Sequence, residues 1–489
     1  MVKAKKTKSL GINAVLNTIK TVLGVLFPLI TYPYITRVLQ VDNLGKFNFS
    51  DTNVGYFSLF AAYGVATYAV RECAKVRDDK QKLTKLGSEI FTINIFTMLI
   101  AYLALALFLA FSARFQPYRG LMLILSIAIF FSTWGTDWIN TVYEDFLYIT
   151  IRTIAFQLLS LVLLFVFVKS TDDLYTYTWI VLISSAGANA LNGFYCRKKY
   201  VKVRFRPSGE LKQHLRPMTL IFLSNMTTTI FVNSDQTMLG LMCGDYNVGL
   251  YAISVKIYTV VKNIFTAVLL VVIPRISYMQ TNDTESAIDR LCTGVVKVLS
   301  FIVFPMAVGL FLISDKTVLL IGGESYVDAI PSLKILSISL LCAAAASFMT
   351  YMLVVPKQKE NILLISSTAA AAANVGLNFL MIPMMQQNGA AITTAISELV
   401  VFVVEFIAMK PHLDYKSILK NTLQILLACA GIVGMNYLVR WFCDSLILST
   451  ILIIVGSALI YVAVLFACRN SILLEGIARA KKMLHRTCT

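Results

Sequence analysis

A chain of 489 residues that is 57% hydrophobic and 14% charged, with a mean hydropathy of +0.74, is not a soluble globular protein; soluble domains carry about 45–50% apolar and about 25% charged residues. The formal net charge of +17 would suit nucleic acid, but the basic residues lie in short connectors between apolar runs, and no soluble face is long enough to meet a phosphate backbone. Nine scattered cysteines with no CxxC pair, and three histidines, argue against a zinc or redox centre, so no metal or cofactor is expected.

Read from the N-terminus, apolar runs separated by polar breaks predict an all-α polytopic membrane protein of about fourteen transmembrane helices, each near the ~20 residues a bilayer requires. The spans are 10–36, 47–70, 87–111, 119–143, 145–168, 176–195, 217–242, 248–272, 291–314, 329–354, 362–382, 389–409, 417–440 and 447–467. The first is retained, because no small-residue cleavage site follows it. Lys and Arg are divided unevenly between alternate connectors, about 31 in the set that includes both ends of the chain against about 7 in the other. By the positive-inside bias both termini are cytoplasmic. The most basic connector, 196–216, holds eight Lys and Arg between spans six and seven. It reads as a hinge between two halves, either a topology determinant or a neighbour of anionic membrane lipids. A short echo, Gly45-Lys46-Phe47 opening span two and Gly249-Leu250-Tyr251 opening span eight, fits a transporter built of two repeats.

Charges at mid-bilayer depth cost at least about 2.5–3.5 kcal/mol and should face protein or water. Lys297 and Lys334 lie close enough to span ends to snorkel. Lys20, Lys256 and Lys262 lie deeper. Lys20 shares a helical stripe with Asn13, Asn17, Gly24 and Thr31. Span seven carries Asn225, Thr229, Asn233 and Gln236 beside Asp235, and span eight carries Tyr251, Ser254, Tyr258 and Lys262 on one face. Two readings stand side by side. The lysines line a hydrated cationic cavity for a phosphate, pyrophosphate or carboxylate, or they pair with buried acids such as Asp235, Asp51 and Glu398. Asp235 and Glu398 are in turn either counter-ions or ion-coupling groups. Pro28, Pro33 and Pro305 could bend their helices.

The run Tyr32-Pro33-Tyr34-Ile35-Thr36-Arg37-Val38-Leu39, then Gly45-Lys46-Phe47-Asn48, Tyr56-Phe57, Gly64, Tyr68 and Arg71-Glu72, resembles the start of the Wzx-type lipid-linked oligosaccharide flippases. These belong to the multidrug/oligosaccharidyl-lipid/polysaccharide (MOP) exporter superfamily. Val248-Gly249-Leu250-Tyr251 with Lys256, Pro274-Arg275-Ile276-Ser277, Asn374, Asn378, Gly389-Ala390-Ala391-Ile392 and Glu398 extend the likeness to about residue 400. Gln40 departs from it, standing where many members carry glycine.

The resemblance implies an N-terminal lobe (1–195), the basic linker (196–216), a C-terminal lobe (217–410), two accessory helices (411–467) and a basic tail (468–489). The lobes have six helices each, related by approximate two-fold symmetry around a central cavity. It implies a monomeric, non-enzymatic transporter of the bacterial inner membrane. Its substrate would be a polyprenyl-pyrophosphate-linked oligosaccharide, moved between leaflets by alternating access for a polysaccharide polymerase to use. A flippase for the peptidoglycan lipid precursor and a cation-coupled multidrug exporter are the alternatives within the superfamily. A membrane polysaccharide polymerase is the alternative outside it, but such an enzyme needs a long external loop, and none is predicted.

Overall fold

The structure, a computed structural model, describes residues 10–478, with the side chains of 10–26, 28, 29, 281 and 282 excepted. Among the described residues the regular structure is helical throughout. The chain divides into two compact units between Gly240 and Leu241.

The first unit contains α1 (Leu10–Ala62), α2 (Val65–Lys75), α3 (Lys80–Phe111), α4 (Arg119–Gly135) and α5 (Trp138–Val142). After these come α6 (Phe146–Phe167), α7 (Leu174–Leu182), a π-helical turn at Ile183–Gly187, α8 (Ala188–Lys199) and α9 (Lys212–Met242). The second unit continues with α10 (Asp245–Asn282), α11 (Glu285–Leu312), α12 (Ser314–Ile321) and α13 (Ile330–Met349), which ends in a π turn at Thr350–Val354. It closes with α14 (Glu360–Met409), α15 (Tyr415–Phe442) and α16 (Leu446–Ala467). The predicted spans lie mostly on helix, with breaks at Tyr63 and Gly64 inside 47–70 and at Thr136 and Asp137 inside 119–143, and among the described residues nine helices are long and apolar enough to cross a membrane.

The burial pattern is that of a bundle in lipid. Large apolar side chains point outward, as at Leu99, Ile100, Leu103 and Phe111 of α3, while Ser, Thr and Asn are buried inside. Close packing uses small residues: Ala343, Ala344 and Ala346 of α13 and Ala370 and Ala371 of α14 are buried in the second unit. Gly240 of α9 lies against the Phe49 ring, 2.2 Å from where a Cβ would stand.

Three features differ from the sequence reading. Where connectors were expected at 37–46 and 383–388, helix runs up to and away from a single residue. Gln40 (φ 63°, ψ 177°) breaks α1, and Gln386 (φ 50°, ψ −129°) breaks α14. The second corner folds the chain back on itself. Gly389 lies so close to the Met381 carbonyl that a Cβ would stand 2.3 Å from its oxygen, and Thr393 donates to Asn378 Oδ1 at 2.5 Å. A continuous helix would separate the first pair by about 12 Å.

Second, α9 as far as Gly240 belongs to the first unit, although it was expected to open the second lobe. Its side chains account for this: Phe222 stacks on Tyr63 with centroids 5.0 Å apart, and Gln236 accepts from Thr52 at 2.9 Å. Third, the basic connector is not a free hinge. Residues 201–208 have no regular secondary structure and are strapped along α3 by backbone bonds from Arg204 and Arg206, with Val201 and Val203 in the hydrophobic core.

Candidate functional site

The first unit holds a cavity of about 330 Å³ whose polar lining comes from one face of α1 beyond its corner and from α9. Asn48, Asp51, Thr52 and Ser58 project from the first, Asn233 and Gln236 from the second, with Ser185 of the π turn opposite. Spacings of three and four residues along a helix place such side chains on one face. Asp51 is the charged residue of this lining among the described residues; the rest are amides and hydroxyls that both donate and accept hydrogen bonds. The sequence reading named Asn233 but used Asp51 only as a counter-ion. The 48–52–55–58 periodicity of Asn, Thr, Gly and Ser was the signal that could have found this face.

The second unit carries a polar seam between α10 and α14. Lys262 forms an ion pair with Glu398, the Tyr258 hydroxyl donates to the same carboxylate oxygen at 3.3 Å, and the ammonium lies 5.8 Å from the Tyr258 ring centroid. Two turns before Tyr258 along α10, Tyr251 shares a hydrogen bond of 2.9 Å with Thr394. Of the two readings open for Lys262, the geometry has the paired one. Its charge is compensated by Glu398. Such pairing is how a charge persists in an apolar bundle.

The other predicted residues are placed as follows. Lys20 and Asn17 lie on α1, but their side chains fall outside the described residues. Lys256 is half-buried, Asn225 exposed, and Asp235 buried on α9. Arg37 is exposed, and its carbonyl accepts from the Gln40 side chain at 2.6 Å. Arg71 lies over the Tyr68 ring and bonds Glu72 at 3.0 Å, and Glu72 also takes Lys75 at 2.7 Å. The Lys75 hydrogen bond, with Arg71 behind it, holds the Glu72 carboxyl below its ordinary range. Gly249 is buried in α10, and Arg275 is exposed near its end.

Two buried carboxylates escaped the sequence reading. Glu405 is fully buried and accepts from the hydroxyls of Thr350 and Ser366, each at 2.8 Å, beside the π turn. Glu89 is buried on α3 at 3.3 Å from His214 Nε2, while His214 Nδ1 meets the Tyr68 hydroxyl at 2.8 Å. A tautomer with the proton on Nε2 satisfies both contacts. This Tyr–His–Glu chain joins α2, α3 and α9. No local spacing announces either group, because the partners are 39 to 146 residues apart.

At the end of the unit where the basic connector lies, Asp145 accepts from Tyr195, Tyr200 and Lys199 at 2.7, 2.7 and 2.8 Å. Burial works against the Lys199 ammonium, but the Asp145 carboxylate and the two tyrosines outweigh it, and the net shift is upward. Arg197 lies 3.8 Å above the Trp134 ring.

Residues 10–280 match the family described as "Polysaccharide biosynthesis protein". A putative O-antigen transporter of Escherichia coli (strain K12) is 23% identical over 257 residues, covering 52% of this chain and 61% of that protein. A putative O-antigen transporter of Shigella dysenteriae is 21% identical over 342 residues, covering 69% of this chain and 84% of that protein. Among solved structures, the lipid II flippase MurJ in an inward closed conformation superposes with a TM-score of 0.77 at 15% identity, covering 94% of this chain and 99% of that one. An inward-facing multidrug resistance MATE family transporter of the MOP superfamily gives 0.64 at 14% identity, covering 81% and 97%. At such identities these structures establish the fold.

Proposed function

The chain belongs to the polysaccharide biosynthesis protein family, and from that premise we propose that it is a flippase for a polyprenyl-diphosphate-linked oligosaccharide. It carries this lipid from the inner to the outer leaflet of a bacterial cytoplasmic membrane. The observation that carries the reading is a cavity lined by Asn, Gln, Ser and Thr inside a helical unit whose outside is apolar. Side-chain amides and hydroxyls match the alternating donors and acceptors of a sugar, whereas a lipid tail needs no cavity because the bilayer already solvates it. The relatives named as O-antigen transporters support a polysaccharide precursor as cargo. They speak equally against a polymerase.

In this reading the protein acts as a monomer with both termini in the cytoplasm, and a polymerase consumes the flipped lipid. Lys20, Lys256, Asn17, Asn225, Asn233 and Tyr258 are its proposed substrate-facing groups. Lys262 joins them only when its pair with Glu398 opens. Asp51 favours a second reading, a cation-coupled exporter, since a carboxylate in a polar cavity suits a cation.

The test is removal of the protein from its host and analysis of lipid-linked glycans by leaflet. Accumulation of an undecorated repeat unit on the inner leaflet, reversed by the wild-type chain and not by Asn233→Leu, is the expected result. Normal glycan distribution with lost efflux of a cationic dye would overturn the flippase reading in favour of the exporter.

A further inference from the structure

The strap over residues 200–208 is built as a regular device. Its sequence alternates, Val201-Lys202-Val203-Arg204-Phe205-Arg206, and an extended segment sends alternate side chains to opposite sides. Val201 and Val203 are 1% and 3% exposed, whereas Lys202, Arg204 and Arg206 are exposed. The backbone is pinned to α3 in step with it: Arg204 N–H donates to Ser88 Oγ at 3.1 Å, and Arg206 N–H to Thr92 Oγ1 at 2.7 Å. Two extended residues rise about 6.6 Å and four helical residues about 6 Å, so strap and helix climb together. Gly87 permits the approach, since a Cβ there would stand 3.1 Å from the Val203 side chain. The strap is anchored at both ends, by the Tyr200 hydroxyl on Asp145 at 2.7 Å and by the Lys85–Glu210 pair at 2.6 Å.

Helix α3 fixes the height of this strap against the bilayer. It begins with Lys80, Lys82 and Lys85 and turns into a lipid-facing strip at Phe96, Leu99, Ile100 and Leu103. Phe205 lies on Phe96 with centroids 5.6 Å apart, and both rings are about half exposed (52% and 44%). Cations held by their backbone thus sit directly beside an aromatic pair at the start of the apolar strip, on the basic face of the membrane. Lys202, Arg204 and Arg206 form no ion pair among the described residues, and Glu210, which feels Arg206, is engaged by Lys85.

We propose that this strap is a binding site for an anionic phospholipid, with the headgroup phosphate held by Arg204 and Arg206 and an acyl chain laid across Phe96 and Phe205. Arginine suits the phosphate because its planar fork bonds two oxygens at once. The aromatic pair, an apolar surface at the boundary depth, distinguishes a lipid from a soluble phosphate. The site depends on the membrane placement of α3 and not on the identity of the transported lipid.

The full chain in detergent, examined by native mass spectrometry with added phosphatidylglycerol or phosphatidylcholine, tests this. Preferential retention of phosphatidylglycerol is expected. Arg204→Gln and Arg206→Gln should each weaken it about fivefold, and together about 25-fold, at roughly one surface charge's worth of attraction each. Phe205→Ala should weaken binding of the lipid while leaving its preference for the anionic headgroup. Lys297→Gln should change nothing. Equal retention of both lipids, an undiminished preference in the double variant, or full displacement of phosphatidylglycerol by inorganic pyrophosphate would each overturn the proposal. If the double variant fails to fold, the wild-type chain decides: an anionic preference that survives high salt unchanged excludes these exposed cations as its source.

Discussion

Replacing Lys262 by Met strands the Glu398 carboxylate. That residue is 5% exposed, and its remaining partner is the Tyr258 hydroxyl at 3.3 Å. Breaking a buried ion pair from one side costs about 3–5 kcal/mol. Because the Lys262 side chain is itself 28% exposed, solvent screens part of the loss and the lower end, about 3 kcal/mol, is expected. Replacing both partners, Lys262→Met with Glu398→Gln, removes the stranded charge and should cost about 1 kcal/mol or less. Because Glu398→Gln alone also leaves the partly exposed Lys262 ammonium uncompensated, the double-mutant cycle should return a coupling of at least about 2 kcal/mol, measured by unfolding the detergent-solubilised chain in increasing dodecyl sulfate. A Lys262→Met protein as stable as wild type but inactive in surface-polysaccharide synthesis, with no coupling in the cycle, would refute the paired assignment. It would return Lys262 to the substrate-facing role.

Four further outcomes follow from the geometry. Gln40→Gly should raise stability by about 1 kcal/mol, since a non-glycine residue at φ 63°, ψ 177° carries about 1–3 kcal/mol of strain that the side-chain bond to Arg37 only partly offsets; a lowered melting temperature would contradict this. Gly389→Ala should destabilise by 2 kcal/mol or more and lower the yield of folded protein, because its Cβ would stand 2.3 Å from a backbone oxygen; yield and melting unchanged from wild type would argue against that tight corner. Glu405→Gln should stay within about 1 kcal/mol of wild type, whereas Glu405→Leu should lose about 2, having left the half-buried Thr350 hydroxyl without its acceptor and Ser366 with only the Leu363 carbonyl at 3.1 Å; the same unfolding titration separates them. His214→Phe keeps the ring volume but breaks contacts to both Tyr68 and Glu89, and should cost about 2–3 kcal/mol, with Glu89→Gln recovering part of it in the double variant.

The helical fold was legible because lipid imposes one rule everywhere: each span must satisfy its own backbone, so apolar length alone reveals it. The corners at Gln40 and Gln386 were legible in place, as the polar breaks at 37–46 and 383–388, but not in form, since a turn confined to a single residue with positive φ has no sequence run of its own. At Gln40 the sequence departs from the glycine of the family pattern it resembles, and its φ of 63° marks the position as one that favours glycine. At the candidate site, stripes on spans seven and eight led to Asn233, Tyr258 and Lys262. Whether a lysine faces a ligand or an acid depends on the rotation of α10 against α14, which no spacing within one helix encodes. The same holds for His214 and Glu405, whose partners come from distant segments. The basic connector was read by composition as a hinge. Its alternating valines carried the information that it is an extended, docked segment.

The folded-back corner at Gln386 has a mechanical consequence. With one residue between them, the two arms of α14 have no slack, and Gly389 against the Met381 carbonyl together with Thr393 on Asn378 locks their spacing. The arms must tilt as a single lever through every stage of a transport cycle. Spin labels placed on the two arms should therefore report one fixed distance whatever leaflet the protein serves.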